Sequence, residues 1–143
     1  MTIARILTGR SLDSVISAPA SMPVRDAIAL LAEHRIGALP VMEGSRCVGI
    51  FSERDVIYCL AKDGAAALDR PVSELMSGPP VTVSPETDVI EALALITRRR
   101  FRHLPVIRGE EFAGFISIGD LVKFRLDAVE KEAEAMRSYI QTA

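Results

Sequence analysis

Apolar residues recur at helical spacing in two stretches of the chain. Between positions 89 and 96 they repeat at intervals of three and four, which predicts an amphipathic helix. Thr87 offers a side-chain cap for its start. Because the residue before a proline avoids the helical region, this helix must end before Pro105. An equivalent helix is expected to open at Pro23, a residue suited to the first helical position, and to end before Pro40.

Short apolar runs bounded by turn residues predict three strands around each of these helices. The turns are centred on Gly44 and Gly109, and a second helix is expected to open at Ser52 and at Ser117. The predicted strands are residues 14–17, 40–42 and 47–51 in the first stretch, and residues 80–83, 105–107 and 112–116 in the second.

The two stretches are copies of each other. Residues 23–57 align without a gap on residues 88–122, at a constant offset of 65 positions that carries Pro40 onto Pro105, Gly49 onto Gly114 and Asp55 onto Asp120. Each unit has the order strand–helix–strand–strand–helix, and one unit is too small to bury both faces of its sheet. We therefore expect an α+β fold in which the two repeats pack sheet to sheet about a pseudo-two-fold axis.

The duplication also sets the expected domain boundaries. They are repeat 1 at residues 10–62, a linker at 63–79 with a helical turn near 71–76, repeat 2 at 80–126, and a C-terminal helical extension at 127–143. The last helix carries an apolar stripe that needs a partner within the chain or on a second chain. The stripe consists of Val122, Leu126, Val129, Ala133, Met136 and Ile140.

Composition excludes several classes of function. With a net charge of -2 over 143 residues, the chain lacks the basic balance of a dedicated nucleic-acid binder. The arginines around Phe101 keep RNA binding open as an alternative to helix-end cations or phosphate contacts. Cys47 and Cys59 form no C-x-x-C pair, no apolar run is long enough for a signal or membrane segment, and the cytoplasm is the expected location. We find no metal-ligand spacing and no activated nucleophile, so we expect no enzyme and no catalytic cofactor.

The duplicated motif Gly-x-x-Ser-x-x-Asp is the candidate chemistry. It places Ser52 and Asp55, and in the second copy Ser117 and Asp120, where a strand runs into a helix. A helix start has unpaired N–H groups and the positive end of the dipole, which attract phosphate. An aspartate three residues on can accept two hydrogen bonds from a ribose diol. The same pattern is also a capping box, and both interpretations remain open.

Taken together, these motifs resemble the CBS domain (the regulatory module of the cystathionine-β-synthase type), present as a tandem pair. The resemblance covers residues 10–126 and rests on the Leu-Pro-Val strands, the Gly-x-x-Ser-x-x-Asp steps and the Val-Ser-Glu-Leu-Met segment at 72–76. It is similar to small stand-alone bacterial CBS pairs. The resemblance implies a ligand such as AMP, ADP, ATP, NAD(H) or S-adenosylmethionine between the repeats, and dimerisation into a flat disc.

The resemblance also implies roles for individual residues. Asp55 and Asp120 would bind ribose. The implied phosphate contacts are Ser52, Arg54, Ser117, Gly119, Arg102 and His103. The implied adenine pocket consists of Ile16, Ser17, Ala38, Leu39, Pro40, Val81, Thr82, Val83, Leu104 and Pro105.

These inferences lead to one principal hypothesis and one rival. The principal hypothesis is a cytoplasmic, homodimeric, non-catalytic sensor of an adenine nucleotide, possessing a regulated partner protein and no membrane contact. The copies differ at Arg54 against Gly119 and at Ala38 against His103. We therefore expect unequal clefts, with the preferred one containing Thr82, His103 and Asp120. The rival is a protein–protein interaction module in which the clefts are vestigial.

Overall fold

The fold is described by a computed structural model that covers residues 1–142. Repeat 1 contains helices α2 and α3 and a sheet in the order β1-β2-β3, in which β1 runs parallel to β2 and β2 antiparallel to β3. Its bounds are β1 Ala18–Pro19, α2 Val24–His34, β2 Ala38–Glu43, β3 Arg46–Ser52 and α3 Glu53–Asp63.

Repeat 2 has the same arrangement, except that its first strand is reduced to a single bridge. Strands β4 and β5 pair antiparallel, and Val83 makes one parallel bridge to Val106, which matches the pairing of Ala18 with Val41 in repeat 1. Its bounds are α5 Val89–Arg99, β4 His103–Arg108, β5 Glu111–Ser117 and α6 Ile118–Thr142. The chain begins with α1 at Ile3–Leu7, and α4 at Val72–Leu75 precedes repeat 2.

The predicted architecture is confirmed, since two mixed units face each other along β3 and β5. The prediction of a strand at residues 14–17 is wrong. The Ser11 hydroxyl accepts a hydrogen bond from Asp13 N–H and caps a 3-10 turn at Leu12–Ser14, which the Ser14 N–H closes by donating to Ser11 O at 3.1 Å. The strand predicted at 80–83 is reduced to the bridge at Val83, because Pro79 and Pro80 have no N–H to donate to a ladder.

Two predicted helix starts also need correction. The cap of α5 is Asp88, whose carboxylate accepts the Ile90 N–H at 2.8 Å, while the Thr87 hydroxyl accepts the Ser84 N–H instead. Pro23 has extended backbone angles and is the residue before α2, not its first residue. Within residues 1–142, no helix combines the length and apolarity that crossing a membrane would require.

Two hydrophobic cores form, and each contains a helix from outside its own repeat. Ile3 and Ile6 of α1 are buried with Val89, Ile96 and Leu104 of repeat 2. In the core of repeat 1, the buried residues include Val72 of α4. The helices that precede the two repeats are therefore exchanged: α1 completes repeat 2 and α4 completes repeat 1.

Candidate functional site: two clefts between the repeats

The Ser-x-x-Asp motif builds the same structure at the start of α3 and of α6. Asp55 accepts hydrogen bonds from the Ser52 N–H at 2.9 Å and the Ser52 hydroxyl at 3.0 Å, and its own N–H donates to the Ser52 hydroxyl oxygen. Asp120 accepts the Ser117 N–H at 2.9 Å, and its N–H donates to the Ser117 hydroxyl oxygen at 3.0 Å. The capping-box interpretation is thus confirmed in both copies.

The amides at these helix starts are less available than the sequence suggested. The Glu53 N–H donates to Gly37 O at 3.0 Å, and the Ile118 N–H donates to Arg102 O at 2.8 Å. The third amide of each helix donates to the serine hydroxyl, so the expectation of unpaired N–H groups is wrong for the first and third amides of both helices. Phosphate binding at either helix would therefore depend more on side chains than on backbone.

Each aspartate carboxylate lines a cleft, and there it also accepts a hydrogen bond from a residue outside its own motif. The Ser77 hydroxyl donates to Asp55 Oδ1 at 2.8 Å. On the other side, the Arg10 guanidinium makes a two-pronged contact with Asp120, 3.0 Å to Oδ1 and 3.3 Å to Oδ2. Partial burial of Asp120 raises its pKa, but Arg10 and the Ser117 hydrogen bonds outweigh that effect and lower the pKa below its ordinary value.

The Asp120 cleft is the smaller of the two, with a volume of about 350 Å³. Repeat 2 contributes Asp120 and Ser117, whereas repeat 1 contributes Ile16 and Ala38. The remaining lining residues are Leu7, Arg10, Ser11, Leu12, Ser14, Val15, Ile36, Gly37, His103, Ala113 and Phe115. A ligand there would touch both repeats at once.

The Asp55 cleft has a volume of about 680 Å³ and a more charged lining. Arg54, Arg100 and Arg102 line it together with Asp55 and Glu53. The remaining lining residues are Gly37, Ala38, Ile50, Ser52, Ile57, Tyr58, Ser77, Gly78, Pro79, Pro80, Val81, Phe101 and His103. The arginine cluster noted in the sequence therefore borders this cleft through Arg100 and Arg102.

His103 lines both clefts and stacks on Phe115. The ring centroids are 5.2 Å apart and the rings are 11° from parallel. Burial lowers the pKa of His103; Asp120 and Glu53 raise it and Arg102 lowers it, and the result lies below the ordinary value. The lowered pKa favours the uncharged imidazole, and its flat ring forms part of the lining of both clefts.

The profile of the CBS domain family matches residues 11–62 and 72–127. The chain belongs to the CBS domain family. The resemblance drawn from the motifs is thereby confirmed, and the duplicated unit is a tandem pair of CBS domains.

Known CBS proteins are similar to this chain in both sequence and fold. A mitochondrial CBS domain-containing protein from Arabidopsis thaliana, CBSX3, is 34% identical over 123 residues, which cover 82% of this chain and 60% of that protein. A CBS-domain containing protein from Agrobacterium tumefaciens is 34% identical with a TM-score of 0.78, covering 87% of this chain and 99% of its own. CBSX2, solved in complex with AMP, is 27% identical with a TM-score of 0.77, covering 89% and 97%.

The clefts of this CBS pair contain about half of the residues expected to contact a ligand. The Asp120 cleft includes Ile16, Ala38, His103, Ser117 and Asp120. The Asp55 cleft includes Ala38, Ser52, Arg54, Asp55, Val81, Arg102 and His103. Their roles as ligand contacts stay predictions.

The other expected contacts line neither of the two clefts. Leu39, Pro40, Val83, Leu104 and Pro105 are buried, so they stand behind the cleft walls as core. Ser17, Thr82 and Gly119 are exposed outside both linings. The expected grouping of Thr82 with Asp120 is wrong, because the segment that lines the Asp120 cleft is the one between α1 and β1, including Val15 and Ile16.

Sequence reasoning missed Arg10 and Ser77. A signal for both was present: Ile3–Gly9 reads IARILTG and residues 72–78 read VSELMSG, a second match between the copies at an offset of 69. It places Leu7 opposite Met76 and Arg10 opposite Pro79. An alignment carried upstream of Pro23 would have extended both units to α1 and α4.

Proposed function

We propose that this CBS pair is a homodimeric, non-catalytic sensor that binds an adenosine nucleotide in the clefts between its repeats. One observation carries the proposal: each cleft combines an aspartate at a helix start with apolar walls from both repeats. The carboxylate suits ribose hydroxyls and the walls suit a base. The cytoplasm is part of the same proposal, supported by the unpaired thiols of Cys47 and Cys59.

A similar protein favours adenosine as the nucleoside, and the cleft volumes agree with a ligand of nucleotide size. CBSX2, a CBS pair with a TM-score of 0.77 to this chain, was solved in complex with AMP. The volumes of about 350 and 680 Å³ fall in the range of pockets that bind small molecules, roughly 300–1,000 Å³. AMP, ADP, ATP and NAD(H) are the candidates that these walls and charges can accept.

The two clefts should differ in affinity. In the Asp120 cleft, ribose hydroxyls must displace Arg10, whose guanidinium is a charged competitor. In the Asp55 cleft they need only displace the neutral Ser77 hydroxyl. Three arginines there also offer charge to more than one phosphate. We therefore propose the Asp55 cleft, and not the Asp120 cleft expected from the sequence, as the site that fills first.

Calorimetry and thermal unfolding with AMP, ADP, ATP, NAD, NADH and S-adenosylmethionine test the proposal. A ligand at 100 times its dissociation constant stabilises the fold by roughly 2.7 kcal/mol. Asp55→Ala and Asp120→Ala should each weaken binding at one cleft by roughly 10- to 150-fold, because lost charged hydrogen bonds cost about 1.5–3 kcal/mol. Asp127→Ala on the exposed part of α6 is the matched control. Unaltered affinity in both cleft variants would disprove the site assignment.

A second candidate function is a protein–protein interaction module with vestigial clefts. It is favoured by the exposed apolar side chains of α6, such as Leu126 at 58% and Met136 at 64% exposure. In that case none of the six ligands would shift the unfolding temperature at millimolar concentration, while a chain ending at Leu126 would lose its partner. The same ligand screen therefore separates the two functions.

A further inference from the structure

Helix α6 has two apolar faces, and only one of them is used within the chain. Leu121 is fully buried in the core of repeat 2, and Phe124 packs against it. From residue 125 to residue 142 no side chain is buried. At 1.5 Å per residue, roughly 25 Å of helix extends beyond the core.

The unused face has the period of a coiled coil. The six residues of this face, the seam, follow one another at intervals of four and three residues in alternation, so the pattern repeats every seven residues and keeps the seam facing a partner helix. In heptad terms, positions a are Leu126, Ala133 and Ile140, and positions d are Val122, Val129 and Met136. Ile140 is 69% exposed and Val129 is 43% exposed.

The charged residues that flank this seam favour a second copy of the same helix as the partner, in the parallel orientation. In a parallel pair of identical helices, position g faces position e of the next heptad on the partner. Arg125 then faces the partner's Glu130, and Glu132 faces the partner's Arg137. Both contacts join opposite charges, and symmetry makes each of them twice.

The antiparallel arrangement of the same seam joins like charges. When Val122 is opposite the partner's Ile140, so that the whole stripe overlaps, Glu130 meets the partner's Glu130 and Glu132 meets the partner's Glu132. Lys123 then faces the partner's Arg137. All three contacts are repulsive.

We propose that α6 of two copies pairs through this seam as a parallel two-stranded coiled coil. The inference rests on the homodimer of the proposed function and adds to it the surface, the orientation and the register. Because the first turn of α6 carries Asp120, the same helix that lines one cleft would form the dimer seam. Ligand binding at that cleft and pairing of the chains would then act on one continuous element.

Cysteine cross-linking tests the orientation. Ala133→Cys and Ile140→Cys are made singly in the full chain and oxidised at low protein concentration. In a parallel pair each introduced residue lies opposite its own copy, so both variants should form disulfide-linked dimers. In the antiparallel register position 133 faces 129 and position 140 faces 122, so neither should. The parent chain and Ala135→Cys, on the outer face of the helix, are the controls.

Charge reversal tests the register independently. Glu132→Arg or Arg137→Glu alone should raise the dimer dissociation constant about tenfold, and an equimolar mixture of the two should restore it. Glu134→Arg makes the same charge change off the seam and should leave it unchanged. Cross-linking at only one position or at none, or equal weakening by Glu134→Arg, would overturn the proposal. Circular dichroism and AMP calorimetry on each variant report folding and nucleotide binding separately, so a failed seam is distinguishable from failed nucleotide binding.

Discussion

At the scale of single residues, two identical motifs have different surroundings. Asp55 and Asp120 are held in the same way by the serine of their own helix start, but Ser77 contacts one and Arg10 the other. The difference arises because Arg10 occupies the place that Pro79 has in the other copy. The two otherwise equivalent carboxylates therefore differ in their partner, which is a neutral hydroxyl at Asp55 and a charged guanidinium at Asp120.

Arg10→Met should change which ligands the Asp120 cleft prefers. Adenosine should bind more tightly, by up to about fivefold, because a partly exposed ion pair is worth about 1 kcal/mol or less. The ratio of AMP to adenosine affinity should fall roughly tenfold, since Arg10 is the one arginine or lysine among the residues that line that cleft. Calorimetry on the Asp55→Ala background isolates the cleft, and Arg5→Met, at an exposed position of α1, is the control. An unchanged ratio would show that Arg10 does not contact phosphate.

His103 should make the fold less stable as the pH falls from 7.5 to 5.5. The unfolded chain takes up a proton near the ordinary histidine pKa of about 6.5, whereas the partly buried native imidazole has a lowered pKa and takes up its proton only at lower pH. The free energy of unfolding therefore falls with pH in this window. His103→Phe keeps the stacking on Phe115 and cannot be protonated, so urea titrations should give it a shallower pH dependence. Equal slopes for parent and variant would contradict this account.

The lowered pKa of Asp120 also makes the free energy of unfolding fall as the pH falls, but only below about pH 4.

At the scale of elements, the glycine of each Gly-x-x-Ser-x-x-Asp motif marks where an exchanged helix crosses a strand. A Cβ on Gly114 would meet Leu7 Cδ2 at 2.7 Å, and a Cβ on Gly49 would meet the Met76 side chain and the Ser77 carbonyl oxygen, the latter at 2.9 Å. In this motif the glycine therefore allows close packing, and the serine and the aspartate make the hydrogen bonds.

Gly49→Ala should destabilise the fold more than Gly114→Ala. The Leu7 side chain can move aside, whereas the Ser77 carbonyl is backbone and accepts the Ile50 N–H at 2.9 Å. Overpacking of this kind costs about 1–3 kcal/mol. Urea unfolding of both variants measures the difference, with Gly44→Ala as a comparison of backbone strain without steric contact. Equal losses at Gly49 and Gly114 would show that the backbone contact is unimportant.

At the scale of the whole molecule, the exchange of α1 and α4 ties the two repeats together. Ile3 is fully buried in the core of repeat 2, and Val72 is fully buried in the core of repeat 1. Neither repeat has a complete core without a segment that lies elsewhere in the chain. The pair should therefore unfold as one unit.

Ile3→Ala and Val72→Ala should each lower the midpoint of a single unfolding transition. Truncating a buried isoleucine costs about 2–5 kcal/mol, and the smaller valine costs less. Coincident transitions by circular dichroism and by fluorescence of a dye attached to repeat 1 would confirm a common unfolding step. If Ile3→Ala instead split the transition into two, the repeats would be independent folding units.

The sequence by itself determined the duplication, the order of elements within each repeat and the helix starts at Ser52 and Ser117. These properties depend on local spacing and on proline, glycine and serine chemistry, which act over a few residues. It also placed Asp55 and Asp120 at helix starts, which is why the candidate site was located before any contact was known.

Only the tertiary structure decided which residues share a cleft. The partners of Asp120 are Arg10 and Ile16, more than a hundred positions away, because α1 and the segment after it lie on repeat 2. The same packing left Leu39 and Leu104 behind the walls and Thr82 outside them. Periodicity reports how a segment presents its own faces, but not which distant segment covers them, and in this protein that choice sets the charge in each cleft.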